Sequence, residues 1–336
     1  MQTGVGIIGC GYWGPHFIRL ARESLQSRLI LVCDTNLSRV KECRKLFPEV
    51  EFTVSPIDIV RNEDISAVII CTPVITHYRL AKQCLTAGKH VLCEKPMTQT
   101  SQEAKELIAL SRRNKVVLMP GHVFEFNSVV QYIKRLIASK KIGEVIYINM
   151  IRTGLGPVRN DVNVIYDLAS HDISILNLLL GNPPLAVSAI GKSFVNSNRE
   201  DVALISFEFP SKVIASLTVS WMDPIKQRLI KIVGTKKMLL FDDVSNEKLK
   251  VINTGKTYQS LKGDFGSFQL STKDGDILIP NIIYLEPLKI EYDYFINNII
   301  KGKAPVSDAE NGLKVIKTLE AICYSVKNNG KKIYLK

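Results

Sequence analysis

Residues 4–15 read GVGIIGCGYWGP. A short apolar run of strand character enters Gly9-Cys10-Gly11-Tyr12-Trp13-Gly14, and a helical pattern follows from Pro15 to about Ser24. A second apolar strand, Leu29–Cys33, ends at Asp34. Strand, glycine-rich turn, helix, strand and terminal acid stand in the order of a dinucleotide-binding unit, with the acid about 20 residues beyond the last glycine. Gly9 permits a tight turn, Gly11 lets backbone N–H groups approach a pyrophosphate, and Gly14 lets helix and strand pack closely. Tyr12 and Trp13 belong to the same turn, and the helix N-terminus behind it favours negative phosphates.

Asp34 is placed to accept hydrogen bonds from the adenosine ribose hydroxyls. An acid there repels a 2′-phosphate, and Thr35-Asn36 bring no cation beside it. NAD is therefore expected rather than NADP, with Arg39 the one nearby residue that argues for the other coenzyme.

The alternation continues downstream. Val40–Phe47 reads as helix, a short helix closes at Val60–Asp64, and Ala67–Cys71 reads as a buried strand followed by Thr72-Pro73. A helix over His77–Ala87 ends at Gly88, His90–Cys93 is a strand, Ser101–Asn114 a helix, and Val116–Met119 a strand. Strands alternating with helices imply a doubly wound parallel sheet, an α/β fold of Rossmann type, over residues 1–121. Ligands of such sheets sit beyond the carboxyl ends of the strands. Gly9, Asp34, Thr72, Pro73, Glu94 and Lys95 all fall at that edge, and His77 lies just behind it.

Residues 92–97, LCEKPM, end one of those strands. Lys95 there would lie beside a nicotinamide, where an ammonium can hydrogen-bond a substrate oxygen and stabilise its developing negative charge. Partial burial would lower its pKa and open a role in proton transfer. Pro96 restricts Lys95 to extended backbone, and Glu94 would position ribose or the lysine.

The chain resembles the glucose-fructose oxidoreductase/inositol dehydrogenase (Gfo/Idh/MocA) family. The resemblance runs through GIIGCGYWG, CTPVITH at 71–77, HVLCEKPM at 90–97, GHVFEFN at 121–127 and YDLASHDISIL at 166–176. It implies that the lysine of Glu-Lys-Pro lies by the nicotinamide. It also implies that an Asp and a His four residues apart on a helix of the second domain complete the site. Asp167 and His171 match, and positions i and i+4 share one helix face. On this reading His171 is the general base, Lys95 the electrostatic partner and Asp167 the residue that orients the imidazole; the roles of His171 and Lys95 are exchangeable.

From about Glu144 the pattern changes to successive strands (VIYINMIR, PLAVSAIG, VALISFEFP, VIASLTVSWM, LIKIVGT and KMLLFDD), reached through a helix over Asn127–Ser139. Residues 122–336 are read as an α+β domain with an open, mostly antiparallel sheet of about six strands. In the resembled family that open face commonly serves as a subunit interface, which implies a homodimer or homotetramer. Glu286–Ile300 and Asp308–Lys327 read as helices, the second opening on a capping box at Ser307 and Glu310. Asn246–Asp276 reads as a long loop or irregular hairpin. The C-terminal helices are free to pack back on the first domain.

The segment RTGLGPVRNDVN, 152–163, carries the clue to substrate. Arg152 and Arg159 could clamp a carboxylate or phosphate, with Asn163, His122 and Asn127 helping to hold a sugar. The family branch this segment and GYWGP most resemble oxidises nucleotide-linked sugars of the UDP-N-acetylglucosaminuronate type at C3, in surface-polysaccharide synthesis. The family often has Asn-Pro where this chain has Asn127-Ser128. Three alternatives stay open: a dehydrogenase of a free polyol such as inositol, an NAD-dependent glycosidase, and a non-catalytic NAD-binding regulator.

Composition narrows the setting. The net charge of +12 is spread over both halves of the 336 residues with no basic tail, which argues against a nucleic-acid partner and for anionic small molecules. No run approaches the ~18 apolar residues of a membrane span, and the opening MQTGVGIIGC reads as the first strand rather than a signal peptide. The seven cysteines include no CxxC pair, so reduced thiols in a cytoplasm are expected, without disulfides or a metal site.

Overall fold

The computed structural model describes residues 2–159, 161–195, 199–253, 275–302 and 309–335. The first unit contains β1 (Thr3–Ile8), α1 (Gly14–Glu23), β2 (Ser27–Cys33), α2 (Leu37–Leu46), β3 (Phe52–Thr53), α3 (Pro56–Arg61) and β4 (Ala67–Ile70). It continues through α4 (Val74–Thr86), β5 (His90–Glu94), α5 (Ser101–Asn114) and β6 (Leu118–Gly121). Its six strands are parallel in the order β3-β2-β1-β4-β5-β6. Strands such as Ala67–Ile70 are buried at every position because helices cover both faces. The winding reverses between β1 and β4, which opens a crevice at their carboxyl ends.

The second unit begins with α6 (Ser128–Ala138), β7 (Val145–Thr153), a π-helical turn at Ile165–Ala169 and α7 (Ser170–Leu180). Strands β8 (Ala186–Lys192), β9 (Val202–Glu208), β10 (Ile214–Ser220), β11 (Gln227–Gly234), β12 (Lys237–Asp242), β13 (Leu249–Asn253) and β14 (Ile277–Leu278) follow. Helices α8 (Pro287–Lys301) and α9 (Ala309–Lys327) and strand β15 (Ile333–Tyr334) end the chain. Among the described residues the sheet has nine strands in the order β14-β13-β12-β11-β7-β10-β9-β8-β15, and only β7 and β10 pair parallel. One face packs on α6, α7 and α9, through residues such as Ile133, Ile173, Leu176 and Leu319. The other leaves Ile190, Leu204 and Ile214 exposed, so β9 alternates in and out along its length.

The two sheets share their last helices. Tyr292, Phe295 and Ile296 of α8 join Phe17 and Ile18 in the core of the first sheet, and the Tyr292 hydroxyl lies 2.6 Å from Ser27 Oγ. On α9, Ile316 packs with Leu107 of the first unit, whereas Val315, Leu319 and Ile322 pack into the second. This splits one helix face between two cores and fixes how the sheets meet.

Some local expectations shift. The short helix runs over Pro56–Arg61 instead of closing at 60–64, because Pro56 opens it and the Asn62 side chain accepts from the Asp64 N–H at 2.9 Å to turn the chain out. The strand expected at 116–119 begins two residues later, after Lys115 ends α5 in the left-handed region at φ 56°. Within the segment read as a loop or irregular hairpin, Leu249–Asn253 is a strand, since Leu249 and Val251 alternate into the core, and it pairs antiparallel with β14. A capping box does open α5, from Thr100 and Glu103; the one expected at Ser307 lies outside the described residues.

Candidate active site

The glycine-rich turn closes because its glycines have no Cβ. Gly9 sits at φ +116°, where a Cβ would come 2.6 Å from the Cys71 carbonyl oxygen, and a Cβ on Gly14 would come 2.3 Å from that of Gly9. Gly11 differs: nothing lies nearer to its added Cβ than Arg39 Nη1 at 3.9 Å. That open face suits a pyrophosphate lying against backbone N–H groups. Asp34 ties the turn to the end of β2, with Oδ2 accepting from Cys10 N–H at 2.7 Å and Oδ1 from Asn36 N–H at 2.8 Å. Each oxygen keeps acceptor capacity for a ribose hydroxyl. Tyr12 is exposed, edge-on to Trp13 at 5.1 Å. These residues fit a dinucleotide.

At the next strand end, the Thr72 and Thr76 hydroxyls lie 2.6 Å apart, and Pro73 precedes the first turn of α4. His77 is buried with both nitrogens on carbonyl oxygens, Nε2 at 2.7 Å from Thr72 and Nδ1 at 2.9 Å from Pro96. The ring therefore sits between the 72–73 turn and the 95–96 turn and, when neutral, donates its one N–H to one of these two carbonyls. Burial pushes its pKa down.

Lys95 follows β5 through a cis peptide to Pro96. Its ammonium crosses to the second unit and donates to the Asp167 carbonyl at 2.8 Å, 3.6 Å from that residue's carboxylate. Side-chain exposure is 11% for Lys95 and 16% for Asp167, so little water screens the pair. Burial lowers the Lys95 pKa while the Asp167 carboxylate opposes the shift. Glu94, beside it, is buried and accepts from the Lys95 N–H at 3.1 Å; burial raises its carboxyl to about 7. Gly121 of β6 permits this packing, since a Cβ there would come 3.1 Å from Glu94 Cα.

Asp167 does not hold the imidazole of His171. Its carboxylate accepts from Arg159 Nη1 at 3.1 Å and from Trp221 Nε1 at 3.3 Å, and its third neighbour is Lys95. It orients the lysine. His171 stands edge-on to Phe124 with ring centroids 5.0 Å apart. Its Nδ1 is enclosed without a hydrogen-bond partner among the described residues, which leaves Nε2 as the nitrogen able to act. Burial, and then the charges of Lys95 and Arg152, push its pKa well below the ordinary histidine value. A neutral imidazole thus lies within reach of the charge of a buried ammonium.

The residues expected to touch substrate divide differently. Arg152, at the end of β7, is bound by Asp172 through Nε at 2.5 Å and Nη2 at 3.1 Å, fully inside the protein, and stacks over Phe124 at 4.6 Å. Arg159 is held by Asp161 at 2.9 and 2.6 Å as well as by Asp167. The Arg152 guanidinium is enclosed with its acid, whereas that of Arg159, 37% exposed, already meets two acids. Asn163 donates to Glu200 at 2.7 Å and caps the turn at Tyr166 N. Asn127 caps α6, accepting from Val129 N–H at 2.9 Å. His122 is buried with neither nitrogen bonded among the described residues, and burial pushes its pKa down to about 4.

Trp221, Asp161, Asp172 and Phe124 went unread in the sequence. The only signal for Trp221 was its place directly after the buried strand VIASLTVS. Among the described residues no group of His, Cys, Asp or Glu is arranged to hold a metal ion, and no helix is long and apolar enough to cross a membrane.

Residues 3–122 match the oxidoreductase family with an NAD-binding Rossmann fold, and residues 130–240 match the GFO/IDH/MocA C-terminal domain. The chain is 30% identical over 253 residues to UDP-N-acetylglucosamine 3-dehydrogenase of Acidithiobacillus ferrooxidans, spanning 73% of this chain and 75% of that protein. It is 26% identical over 258 residues to 2,7-anhydro-N-acetylneuraminate hydratase of Mediterraneibacter gnavus, spanning 72% and 68%. The solved structure of the A. ferrooxidans dehydrogenase superposes with a TM-score of 0.83 at 24% identity, over 98% of this chain and 99% of that one, a likeness of fold. With both sheets matched and the glycine turn shaped for a dinucleotide, the chain belongs to the Gfo/Idh/MocA oxidoreductases, NAD(P)-dependent dehydrogenases acting on hydroxyl-bearing substrates, and NAD is its cofactor.

Proposed function

We propose that this dehydrogenase moves a hydride between NAD and a secondary hydroxyl, at C3, of a nucleotide-linked sugar. The observation that carries the catalytic part is the Lys95 ammonium held at 2.8 Å on the Asp167 carbonyl, in the crevice it shares with a neutral His171. NAD, when bound, supplies the hydride acceptor. His171 Nε2 takes the hydroxyl proton, being already unprotonated at neutral pH. Lys95 donates a hydrogen bond to the same oxygen and stabilises the negative charge it gains, in a site that excludes most water. Asp167 keeps Lys95 aimed and tempers the loss of its charge. Glu94, through the Lys95 backbone, sets the strand end from which the lysine projects.

The nucleotide-sugar part rests on the 30% identity to a UDP-N-acetylglucosamine 3-dehydrogenase over three quarters of that protein. The test is NADH formation and calorimetric binding with UDP-sugars against free polyols. UDP-sugars binding no better than inositol would remove this part and leave the dehydrogenase chemistry standing. A second reading is supported by the identity to a hydratase: oxidation serves as a transient step, and NAD returns unconsumed. Product release without net NADH would favour it. We also propose that the chain divides near residue 121 and self-associates through the exposed sheet face carrying Ile190, Leu204 and Ile214, which sedimentation of a Leu204→Lys variant would test. The free thiols among the described residues accord with a reducing, cytoplasmic setting.

A further inference from the structure

The anion clamp read from the sequence is occupied by acids, yet an anionic substrate needs a cation near the crevice. Three arginines gather at one end of the nine-stranded sheet: Arg152, Arg159 and Arg228. Arg152 is locked to Asp172 by two bonds inside the protein, with side-chain exposures of 6% and 2%. Withdrawing either partner would leave an uncompensated buried charge. Arg159 spends its fork on Asp161 and reaches Asp167 as well.

Arg228 differs from Arg152 in being exposed, and from Arg159, which is equally exposed, in the bonds it makes. Its single ion pair among the described residues is to Asp243 Oδ2 through Nη1 at 3.4 Å, beyond the usual range for a good N–H···O bond. A guanidinium has five N–H donors. Its side chain is 37% exposed, so a ligand can reach it.

Its direction is fixed by the sheet. Arg228 pairs with Arg152 across β11 and β7, so both side chains leave the same face. That face is the one carrying Ile230 and Ile232 at 3% and 0% exposure, against which the helix bearing His171 packs. Arg152 in turn stacks on Phe124, which meets the His171 ring. The positive charge of Arg228 helps depress the His171 pKa and also acts on Tyr284. Around it stand Tyr284, whose hydroxyl lies 3.5 Å from Asn127 Nδ2, and Lys248, whose ammonium sits 5.3 Å over the Tyr284 ring. Lys248 also donates to the Asp243 carbonyl at 3.0 Å.

We infer that Arg228 is the substrate-anion anchor: it receives a phosphate or carboxylate group of the substrate by paired N–H donors, on the sheet floor leading away from His171. Asp243 holds the guanidinium in place before binding, and Lys248 adds a second positive charge at the outer end. This deepens the function proposed above and rests on its anionic substrate. A planar fork suits a carboxylate or phosphate in a way that a lysine does not.

The experiment uses the NAD-loaded protein and four probes: UDP, a UDP-sugar, free glucuronate and inositol. UDP carries phosphate alone and glucuronate carboxylate alone, so the pair distinguishes which anion Arg228 takes. The variants are Arg228→Ala and Arg228→Lys, each checked for an unchanged melting temperature and NAD affinity. If Arg228→Ala proves unstable, the Lys variant carries the test.

The expected result is that Arg228→Ala weakens the favoured anion by about 30- to 100-fold and raises KM for the anionic sugar alike. Changes in kcat and in inositol binding should stay within about 3-fold. Arg228→Lys should recover part of the loss. Equal weakening of inositol, or unchanged binding of both UDP and glucuronate, overturns the assignment and leaves Arg228 a structural partner of Asp243. Wild-type protein that binds neither anion also overturns it. Wild-type protein that binds UDP through Arg228 but oxidises no sugar tested would uphold the anchor and sink the proposed reaction.

Discussion

Lys95, just past β5 of the first unit, and Asp167, in the π-helical turn of the second, meet: the lysine ammonium lies 2.8 Å from the aspartate's carbonyl oxygen and 3.6 Å from its carboxylate. The contact joins the two units and counters part of the burial that lowers the Lys95 pKa. The carboxylate that orients the lysine is itself held by Arg159 and by the indole of Trp221. The indole thus reaches the lysine only through the aspartate.

Trp221→Phe removes one donor to Asp167 and keeps the packing. We expect kcat to fall by about 5- to 20-fold, the cost of a loosened charge-assisted hydrogen bond. NAD affinity should stay unchanged, and the alkaline limb of the pH profile should shift as the lysine loses part of its partner. Steady-state kinetics across pH would check it; an unchanged profile would reduce Trp221 to core packing.

His171 is held neutral by burial and by the positive charges of Lys95 and Arg152. Its folded pKa is lowered, so protonation begins only below the ordinary histidine range. The acid limb of kcat/KM for alcohol oxidation should accordingly lie well below pH 6.5, and His171→Asn should abolish that limb along with most of the rate. Lys95 has its pKa lowered by burial, so a second, alkaline change should begin below the usual lysine value.

Two buried carboxyls make the fold sensitive to pH. Glu94 is raised to about 7, and Glu291, 0% exposed with neither oxygen bonded among the described residues, is raised well above the ordinary value. A raised acid stays protonated in the fold but ionises once unfolded. Stability is thus full below the unfolded pKa and falls as pH rises through the folded one. For Glu94 the loss amounts to about 3 kcal/mol between roughly pH 4.5 and 7. Glu291→Gln should flatten the fall, read as melting temperature against pH; a curve parallel to wild type would contradict it.

The Arg152–Asp172 pair is structural. Asp172→Ala strands a buried guanidinium and should cost about 3–5 kcal/mol in denaturant unfolding. Arg152→Met combined with Asp172→Leu should recover much of that. If the double variant were no better than the single one, the isolated charge would not be the cause.

The first sheet was legible because its signals are local. Gly9, Gly14 and Asp34 obey steric and hydrogen-bond rules written within one strand–turn–helix unit. Lys95 was legible by its place at a strand end. Asp167 and His171 were found through the family resemblance, with which helical spacing agrees, yet their bonding was not, since Asp167 takes its partners from Lys95 after β5, from Arg159 and from Trp221 after β10. The arginine pairs escaped for the same reason: sequence shows a cation but not the acid that neutralises it. Arg228 had no motif, and only strand register reveals which face it shares with Arg152.

The central claim is that the Lys95 ammonium acts on the substrate oxygen in the chemical step. The direct measurement is single-turnover NADH formation by NAD-loaded Lys95→Ala protein, with NAD affinity measured alongside. The account requires a fall of about 10²- to 10⁴-fold in the rate with NAD affinity held within a few fold. A rate within a few fold of wild type would contradict it.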